Sequence, residues 1–364
     1  MVFPRLQWLL CLALLLAAPR FATAILFYST GDPAHNTTAP TGALTNSGWQ
    51  FQGTWGVFLG TPIAPKYFIT AGHVGGAAGD RFNFRGVDYT TTTYFDDPDS
   101  DLRIWRICGT FPEFAPLYTL SNEVSRAVAV FGRGTQRGGE VLVTNHTVRL
   151  KGWFWGEWDT VQRWGTNLVA SIANLDATLP AGAEPVGDLL KCDFDASGGA
   201  EEADLSVGDS GGGLFIKDSG VWKLAGINYG VDGPYNYSMT GSGFLAAIFD
   251  KGGLYTETPA GWVLNPDLPG NSPDGFYATR IAAHQDWIQG VLQTAIVDAP
   301  PVLQSADIVT GPYTDTAGAV VDTSTKTITA PAPSGNQFYR LRACDLLRIT
   351  SITRNGTSVI LHYQ

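Results

Sequence analysis

The sequence predicts an all-β protein whose strands fall into two successive series. Short strand-like segments recur at close spacing, and turn residues separate them. Glycine accounts for 43 of the 364 residues and charged residues for only 15%, which is typical of many short strands joined by tight turns. Each series holds enough strands for one β-barrel, and a helix and a small β-rich segment follow them.

The first 24 residues have the pattern of an export signal. Arg5 lies in a short charged region, an apolar run covers residues 8–18, and residues 22–24 (Ala-Thr-Ala) form a small-residue cleavage site. A membrane anchor is less favoured, because the apolar run is about half of the roughly 20 residues that span a bilayer. No later stretch is long and apolar enough to cross one. We therefore predict a signal peptide over residues 1–24 and a secreted protein, extracellular or periplasmic, without a membrane span.

The strands of the two series follow this signal and a loosely held arm, which we predict over residues 25–44 from its Thr, Pro, Ala and Gly content. The first series comprises residues 49–51, 55–59, 67–69, 81–84, 90–95, 102–107 and 127–131. The second comprises residues 141–143, 148–150, 164–170, 213–216, 222–228 and 276–278. We place the boundary between the two barrels near residues 132–140.

The C-terminal part of the chain begins with the one clear helix, predicted over residues 281–295. Its apolar residues follow helical spacing along one stripe: Trp287, Ile288, Val291, Leu292 and Ala295. We assign residues 25–296 to the main domain and residues 297–304, which contain adjacent prolines, to a linker. Residues 305–364 alternate strand-like segments with turns and predict a small β-module. The sequence leaves open whether this module binds a surface or substrate or stabilises the domain as a cap.

A candidate nucleophile, Ser210, lies in the glycine-rich stretch 208–213 (Gly-Asp-Ser-Gly-Gly-Gly). Glycine permits positive φ and lets backbone N–H groups approach a ligand, so the amides of Gly208 and Ser210 could both face a developing oxyanion. The same residue types occur in ordinary turns, where Asp and Ser bond to the local backbone. This stretch alone leaves both interpretations open.

A hydroxyl nucleophile needs a base at neutral pH, and His73 is the candidate. A lone histidine is more often a core or surface residue, but His73 lies among small residues that leave its ring room to reach out. Asp101 opens the alternating segment 102–107 and is the candidate carboxylate that orients the histidine. Three rival carboxylates closely precede it: Asp96, Asp97 and Asp99. The register of Asp101 against the strand favours it over these three.

Four stretches together resemble the chymotrypsin-like (trypsin-like) serine protease family. They are Thr70-Ala71-Gly72-His73, Asp101-Leu102-x-Ile104, Gly208-Asp209-Ser210-Gly211-Gly212, and residues 275–280 followed by Trp287-Ile288. They occur in the family's order and extend over about 230 residues. The resemblance implies two antiparallel barrels with a C-terminal helix, and a catalytic triad in the cleft between them. The family's usual cysteines beside the histidine and the serine are missing here, which favours a bacterial secreted member.

The resemblance also implies a role for each site residue. Ser210 would attack the carbonyl, His73 would act as the base and Asp101 would orient it, without any metal or organic cofactor. The amides of Gly208 and Ser210 would form the oxyanion hole. Asp209 matches the carboxylate that pairs with a freed amino terminus in zymogen-activated members. Signal cleavage would expose Ile25 as that terminus, but the sequence leaves the need for activation open.

The substrate pocket is predicted from the same resemblance. Asp204 lies six residues before Ser210, where the family places the base of its primary pocket, and an Asp there implies a preference for Arg or Lys. Gly230 and Gly275 match the glycines that line this pocket, and Asn228 replaces the usual serine. Alternatively, Asp204 is one more charge of the acidic loop 193–204.

Two inserted stretches could contribute to the site, and the second, residues 231–274, lies in sequence between the two walls of the expected pocket. Residues 152–158 (Gly-Trp-Phe-Trp-Gly-Glu-Trp) are aromatic enough for a binding platform, although such residues are more often core or barrel rim in a β protein. Residues 231–274 are longer than the equivalent family loop and could form a lid over the site.

Cysteine content and charge restrict the disulfides and partners. Cys11 leaves with the signal, so Cys108, Cys192 and Cys344 remain and at most one bridge forms. A Cys108–Cys192 bridge would join the two halves of the domain, but the sequence leaves the pairing open. The net charge of −10, without a Lys/Arg cluster, argues against nucleic acid as a partner.

These observations predict a secreted serine endopeptidase that acts on protein or peptide substrates through an acyl-enzyme. Two alternatives remain, which are a catalytically inactive homologue that serves as a binding module and a serine esterase. Inactive homologues generally lose the histidine or the serine, and this chain keeps both. The chain also lacks a Gly-x-Ser-x-Gly elbow, which argues against an esterase of the α/β-hydrolase type.

Overall fold

The computed structural model describes residues 25–180, 182–295, 298–345 and 347–364. The predicted signal peptide and residue 297 of the predicted linker lie outside the described residues. The fold-class prediction is confirmed, because the described chain forms two closed antiparallel six-strand barrels, a C-terminal helix and a small β-module.

The first barrel encloses a mainly aromatic core. Its strands are, in chain order, Gly53–Trp55, Phe58–Ala64, Tyr67–Ala71, Arg81–Phe84, Val87–Asp96 and Leu102–Ile107. Phe68 stacks on Phe82 with ring centroids 3.9 Å apart, and Trp55 packs against Trp105 at 4.9 Å. Phe82 and Phe84 lie at alternate positions of strand Arg81–Phe84, so this strand turns one apolar face into the core.

The second barrel has an aliphatic core. Its strands are Ala127–Gly132, Arg163–Asn174, Asp188–Asp193, Gly213–Asp218, Val221–Val231 and Gly275–Arg280. The sequence assigned residues 127–131 to the first series, and this assignment is wrong. Strand Ala127–Gly132 pairs with Arg163–Asn174 and Gly213–Asp218, because Val128 and Val130 are buried in the core of the second barrel.

Three other segments predicted as barrel strands differ from expectation. Residues 141–143 and 148–150 belong to a long hairpin, Thr135–Asn145 and Thr147–Trp158, which forms a separate three-stranded sheet with Ala246–Ile248. Residues Trp49–Phe51 form a 3₁₀ turn, not a strand. Its first hydrogen bond runs from the Phe51 N–H to the Gly48 carbonyl, and Gly48 has a φ of +131° that favours glycine.

A buried apolar seam joins the two barrels next to the strand ends that position the site residues. Leu59, Ile69 and Ile104 of the first barrel pack with Phe215 and Ile227 of the second. The two barrels therefore share one continuous apolar core, and burial of apolar area at about 25 cal/mol per Å² holds them together. The ends of the strands on either side of this seam are fixed relative to one another.

The predicted helix is present, with a tighter first turn. Ile281–His284 is a 3₁₀ helix and Gln285–Gln293 is α-helical, with Ile288 and Val291 buried against the seam. The remaining 3₁₀ turns are Gly42–Leu44, Gly72–Val74 and Asp176–Thr178. Among the residues described, no helix combines the length and the apolar character needed to span a bilayer.

The start of the predicted arm is firmly held, contrary to expectation. Strand Leu26–Phe27 pairs with Ala203–Asp204, and Ile25 is fully buried in the core of the second barrel. The first three described residues are all strongly apolar, so their burial favours a docked strand. A further small sheet within residues 231–274 consists of Tyr235–Asn236, Tyr255–Thr258 and Gly261–Leu264.

The C-terminal module has its own core and a covalent tie to the first barrel. Its strands are Val302–Ala306, Thr314–Asp315, Val320–Asp322, Thr327–Pro331, Phe338–Arg342, Ile349–Asn355 and Ser358–Tyr363. A disulfide joins Cys108 to Cys344, so the Cys108–Cys192 pairing considered from the sequence is wrong. Cys192 is a free thiol buried in the second barrel, on strand Asp188–Asp193. Lys66 reinforces the tie, because its Nζ lies 2.9 Å from carboxylate oxygens of Asp298 and Asp345.

Candidate active site

The structure brings His73, Asp101 and Ser210 into one hydrogen-bonded row. His73 Nδ1 lies 2.6 Å from Asp101 Oδ2, and His73 Nε2 lies 2.8 Å from Ser210 Oγ. His73 follows strand Tyr67–Ala71 of the first barrel, and Ser210 precedes strand Gly213–Asp218 of the second. The row therefore crosses the cleft between the barrels.

Backbone hydrogen bonds fix the carboxylate against the histidine. The His73 N–H donates to Asp101 Oδ1 at 2.9 Å, and the Gly72 N–H donates to the Asp101 carbonyl at 2.6 Å. A Cβ at Gly72 would lie 3.2 Å from Asp101 Oδ1, so glycine permits this close approach. The Asp101 side chain is 13% exposed and that of His73 is 41% exposed. The carboxylate is thus shielded while the imidazole remains open to a substrate.

The Ser210 turn depends on glycine at two positions. Gly208 has a φ of +96° and Gly211 a φ of +77°, both in the left-handed region that favours glycine. A Cβ at Gly211 would lie 2.2 Å from Thr70 Oγ1, in the strand before His73. The Gly211 N–H also donates to the Asn228 carbonyl at 3.0 Å. The turn that carries the serine is therefore packed directly on the strand that leads to the histidine.

Two backbone donors are left free beside Ser210. Within the described chain, neither the Gly208 N–H nor the Ser210 N–H donates a hydrogen bond. An unpaired backbone N–H in a buried turn costs free energy unless a ligand satisfies it. These are the two amides that the sequence predicts for the oxyanion hole.

Asp209 supports this turn from behind. Its Oδ1 accepts the Gly134 N–H at 2.7 Å, and its Oδ2 accepts the Ser206 N–H at 2.8 Å and the Ser206 hydroxyl at 3.0 Å. Burial raises the pKa of Asp209 to about 6, although these hydrogen bonds favour the ionised form. Both oxygens are thus satisfied from within the chain, and Ile25 lies in the core of the second barrel.

A pocket opens beside Ser210, and two of the four predicted pocket residues line it. Asn228 and Gly230 are in its wall, whereas Asp204 and Gly275 are not. Asp204 is 1% exposed and lies behind the wall, on the short strand that pairs with the arm. A Cβ at Gly275 would lie 2.2 Å from the Cys192 carbonyl, so this glycine serves strand packing. The sequence spacing gave the positions of these residues along the chain, but it did not show which of them face the pocket.

Several residues near the site were missed by sequence reasoning. The Tyr229 ring meets the His73 ring edge to face, with centroids 5.7 Å apart. His284 Nδ1 lies 2.6 Å from Asp97 Oδ2, which forms a second Asp–His pair close to the first. The only signal for Asp97 was its place among the rival carboxylates, and nothing in the sequence linked it to His284.

Comparisons with known proteins add little to this picture. No family model matches the chain, and no curated protein matches it. Among solved structures, the chain is similar to neuropsin, a serine protease expressed in the limbic system of mouse brain, with a TM-score of 0.39 and 14% identity. That match covers 68% of this chain and 96% of the neuropsin chain. A likeness this distant carries no argument about activity.

Proposed function

We propose that this protein is a serine endopeptidase that hydrolyses peptide bonds through an acyl-enzyme. The observation that carries the proposal is the continuous row from Asp101 through His73 to Ser210, with distances of 2.6 and 2.8 Å. Two free backbone amides lie beside the serine. A nucleophile, a base, an orienting group and oxyanion donors are the parts that acyl transfer requires.

The first half of the reaction forms the acyl-enzyme. Ser210 Oγ attacks the substrate carbonyl carbon while its proton passes to His73 Nε2. Asp101 holds the Nδ1–H of His73 and stabilises the imidazolium that forms. The carbonyl oxygen becomes an oxyanion, to which the Gly208 and Ser210 amides donate. His73 then gives the proton to the leaving amine, and the C–N bond breaks.

The second half releases the acyl group. A water molecule gives its proton to His73 and attacks the acyl carbon, and the Ser210 ester bond breaks as Oγ takes the proton back. Each oxyanion donor typically contributes about 3 kcal/mol of transition-state stabilisation. The saturated hydrogen bonds of Asp209 keep these donors in place before substrate binds.

We also propose that the protein acts outside the cytoplasm on protein or peptide substrates. The support for secretion is the signal pattern of residues 1–24. The support for a peptide substrate is a cavity lined by His73 on one side and by Val186 and Tyr229 on the other, where a substrate chain could lie. The C-terminal module is bound to the first barrel, and its substrate- or surface-binding role stays a prediction.

The test is labelling by a fluorophosphonate probe, which reacts with activated serines. We expect the wild-type protein to be labelled, and Ser210→Ala to lose labelling completely. Ser351→Ala is the matched control, because Ser351 is exposed in the C-terminal module and should leave labelling unchanged. Cleavage of a peptide library by the wild-type protein would then distinguish a peptidase from an esterase. Absence of labelling, or labelling that survives Ser210→Ala, would overturn the proposal.

A further inference from the structure

The pocket beside Ser210 has a volume of about 300 Å³, at the lower end of the range for ligand sites. Ser210 itself is part of the wall. A substrate side chain that enters the pocket therefore belongs to the residue whose carbonyl carbon Ser210 Oγ attacks. The chemistry of the wall therefore decides which substrates Ser210 can attack.

The wall presents mainly apolar surface to the pocket. The apolar residues that line it are Trp155, Leu205, Val207, Val231 and Leu245. Val207 is 50% exposed and Leu245 is 43% exposed, so both present apolar surface to water in the free protein. A bound apolar side chain would remove this surface from water together with its own, at about 25 cal/mol per Å².

Several polar groups in the wall are already hydrogen-bonded, and the buried ones without a partner in the described structure, Asn228 Oδ1 and Trp155 Nε1, are neutral. Asn228 Nδ2 donates to the Phe131 carbonyl at 2.8 Å and to the Asp209 carbonyl at 3.0 Å. The Ser206 hydroxyl and the Asp209 carboxylate bond to one another and to backbone amides. A substrate cation would find no free carboxylate among these groups, and the neutral Asn228 Oδ1 would compensate its desolvation only in part.

Asp204, the carboxylate expected to bind such a cation, is poorly suited to it. Its Oδ1 accepts the Leu205 N–H at 2.8 Å, its Oδ2 is buried without a partner in the described structure, and Leu205 lines the pocket where Asp204 does not. Burial raises the pKa of Asp204 well above its ordinary value, and neighbouring acids raise it further. A raised pKa disfavours the charged form that an ion pair with Arg or Lys needs, and Asp204 is in any case absent from the pocket wall.

The two inserted stretches meet at the pocket. The hairpin contributes Trp155 and the 231–274 segment contributes Leu245, and the Trp155 N–H donates to the Leu245 carbonyl at 3.3 Å. Strand Ala246–Ile248 pairs with residues 152–154 of the hairpin. Lys151, 1% exposed, ties the same two stretches together through Asp250, with its Nζ 2.6 Å from the carboxylate. Trp155 and Leu245 are therefore held in a fixed relation to one another.

We propose that the pocket selects an uncharged apolar side chain, of the kind carried by Leu, Met or Phe, at the residue whose carbonyl Ser210 attacks. Trp155 and Leu245, on two separate insertions, are the specificity-determining residues. This inference rests on the proposed function, and it replaces the preference for Arg or Lys that the sequence predicted from Asp204.

The test uses fluorogenic peptides that differ only at this residue, with Leu, Phe, Arg or Asp. We expect kcat/KM for the Leu and Phe peptides to exceed that for the Arg peptide by about 100-fold, since an unpaired buried charge is rejected strongly. Leu245→Glu places a carboxylate at the pocket and should raise the Arg-to-Leu ratio at least about 10-fold. Leu268→Glu is the matched control, because Leu268 is 67% exposed on the same segment and lies outside the wall.

Asp204→Asn separates the two specificity models. We expect it to leave the Arg-to-Leu ratio unchanged, because Asp204 does not face the pocket. An Arg preference that Asp204→Asn abolishes would overturn the inference, and so would a Leu245→Glu variant that behaves like Leu268→Glu. Loss of Ser210-dependent fluorophosphonate labelling would instead contradict the proposed function, since that probe carries no peptide side chain to select.

Discussion

The molecule contains two Asp–His pairs with the same geometry and different surroundings. His73 Nδ1 lies 2.6 Å from Asp101 Oδ2, and His284 Nδ1 lies 2.6 Å from Asp97 Oδ2. The His73 side chain is 41% exposed, whereas that of His284 is 9% exposed. The difference lies at Nε2, which in His73 meets Ser210 Oγ. In the described structure, His284 Nε2 has no hydrogen-bond partner.

This difference shows that an Asp–His pair is not itself a sign of catalysis. A base needs a nucleophile in contact and space for a substrate, and only the His73 pair has both. The second pair is covered instead, because the backbone at Gly187 lies directly above it. A Cβ at Gly187 would lie 3.0 Å from His284 Nε2. Under the proposed function, the same two side chains serve reactivity in one place and architecture in the other.

The buried pair supports the reactive one. Asp97 Oδ2 accepts the Ser100 hydroxyl at 2.7 Å, and the Asp97 N–H donates to the Leu102 carbonyl at 2.9 Å. These bonds shape the loop that ends at Asp101. His284 closes the 3₁₀ helix Ile281–His284, which follows the last strand of the second barrel. The pair thus ties the loop that carries Asp101 to the opposite barrel.

The largest expected effect is a difference in the rate of fluorophosphonate labelling between variants of the two histidines. His73→Asn should lower the rate of fluorophosphonate labelling by about 10⁴-fold, because no group remains to accept the Ser210 proton. His284→Asn should stay within a few-fold of the wild-type rate, because an Asn amide can reach the position of Nδ1 and donate to Asp97. Comparable losses in both variants would contradict this division of roles.

For the free energy of unfolding we expect the opposite order, with the larger loss on substitution of His284. His284→Leu leaves the buried Asp97 carboxylate without its partner and should lower the free energy of unfolding by about 3 kcal/mol or more. His73→Leu should cost less than about 1 kcal/mol, since its pair is partly exposed. Urea denaturation of the two variants beside the wild type measures this. A larger loss for His73→Leu would show that the exposed pair is the structural one.

Sequence reasoning located the reactive pair but not the buried one, for a physical reason. Asp101 could be chosen over Asp97 because it directly precedes the alternating strand, and a strand end is a local feature. The Asp97–His284 contact joins residues far apart in sequence, and no local pattern records such a contact.

The same limit explains the other differences from expectation. Alternation predicted strands at 141–143 and 148–150 but not the sheet to which they belong, since many sheets bury one face in the same way. The spacing of Asp204 from Ser210 gave its place in the chain, whereas the wall in front of it comes from packing around Leu205 and Leu245. The two barrels were predictable because each strand repeats its own short-range signal.

A smaller effect is expected at the glycine that covers the buried pair. Gly187 has a φ of +69°, and a Cβ there would also lie 2.7 Å from the Asp99 carbonyl. Gly187→Ala should therefore destabilise the protein by about 1–3 kcal/mol more than the conformational cost alone. Gly182→Ala is the matched control, because Gly182 has a φ of +86° and open space around it. Equal unfolding free energies for the two variants would show that the backbone around Gly187 can move away from His284 at little cost.

The smallest effect concerns the acid stability of the buried pair. Burial alone would raise the pKa of Asp97, but hydrogen bonds from His284, Ser100 and the Asp99 N–H together hold it below its ordinary value of 3.8. Because the folded-state pKa is lowered, the stabilisation from ionised Asp97 is complete well above pH 3.8 and is lost as the pH falls from there through the lower folded-state pKa. Below about pH 5, the unfolding free energy of the wild type minus that of Asp97→Asn should thus shrink as the pH falls. The opposing contributions largely cancel, so the change is small, and a difference that grew towards low pH would mean that Asp97 is neutral in the folded protein.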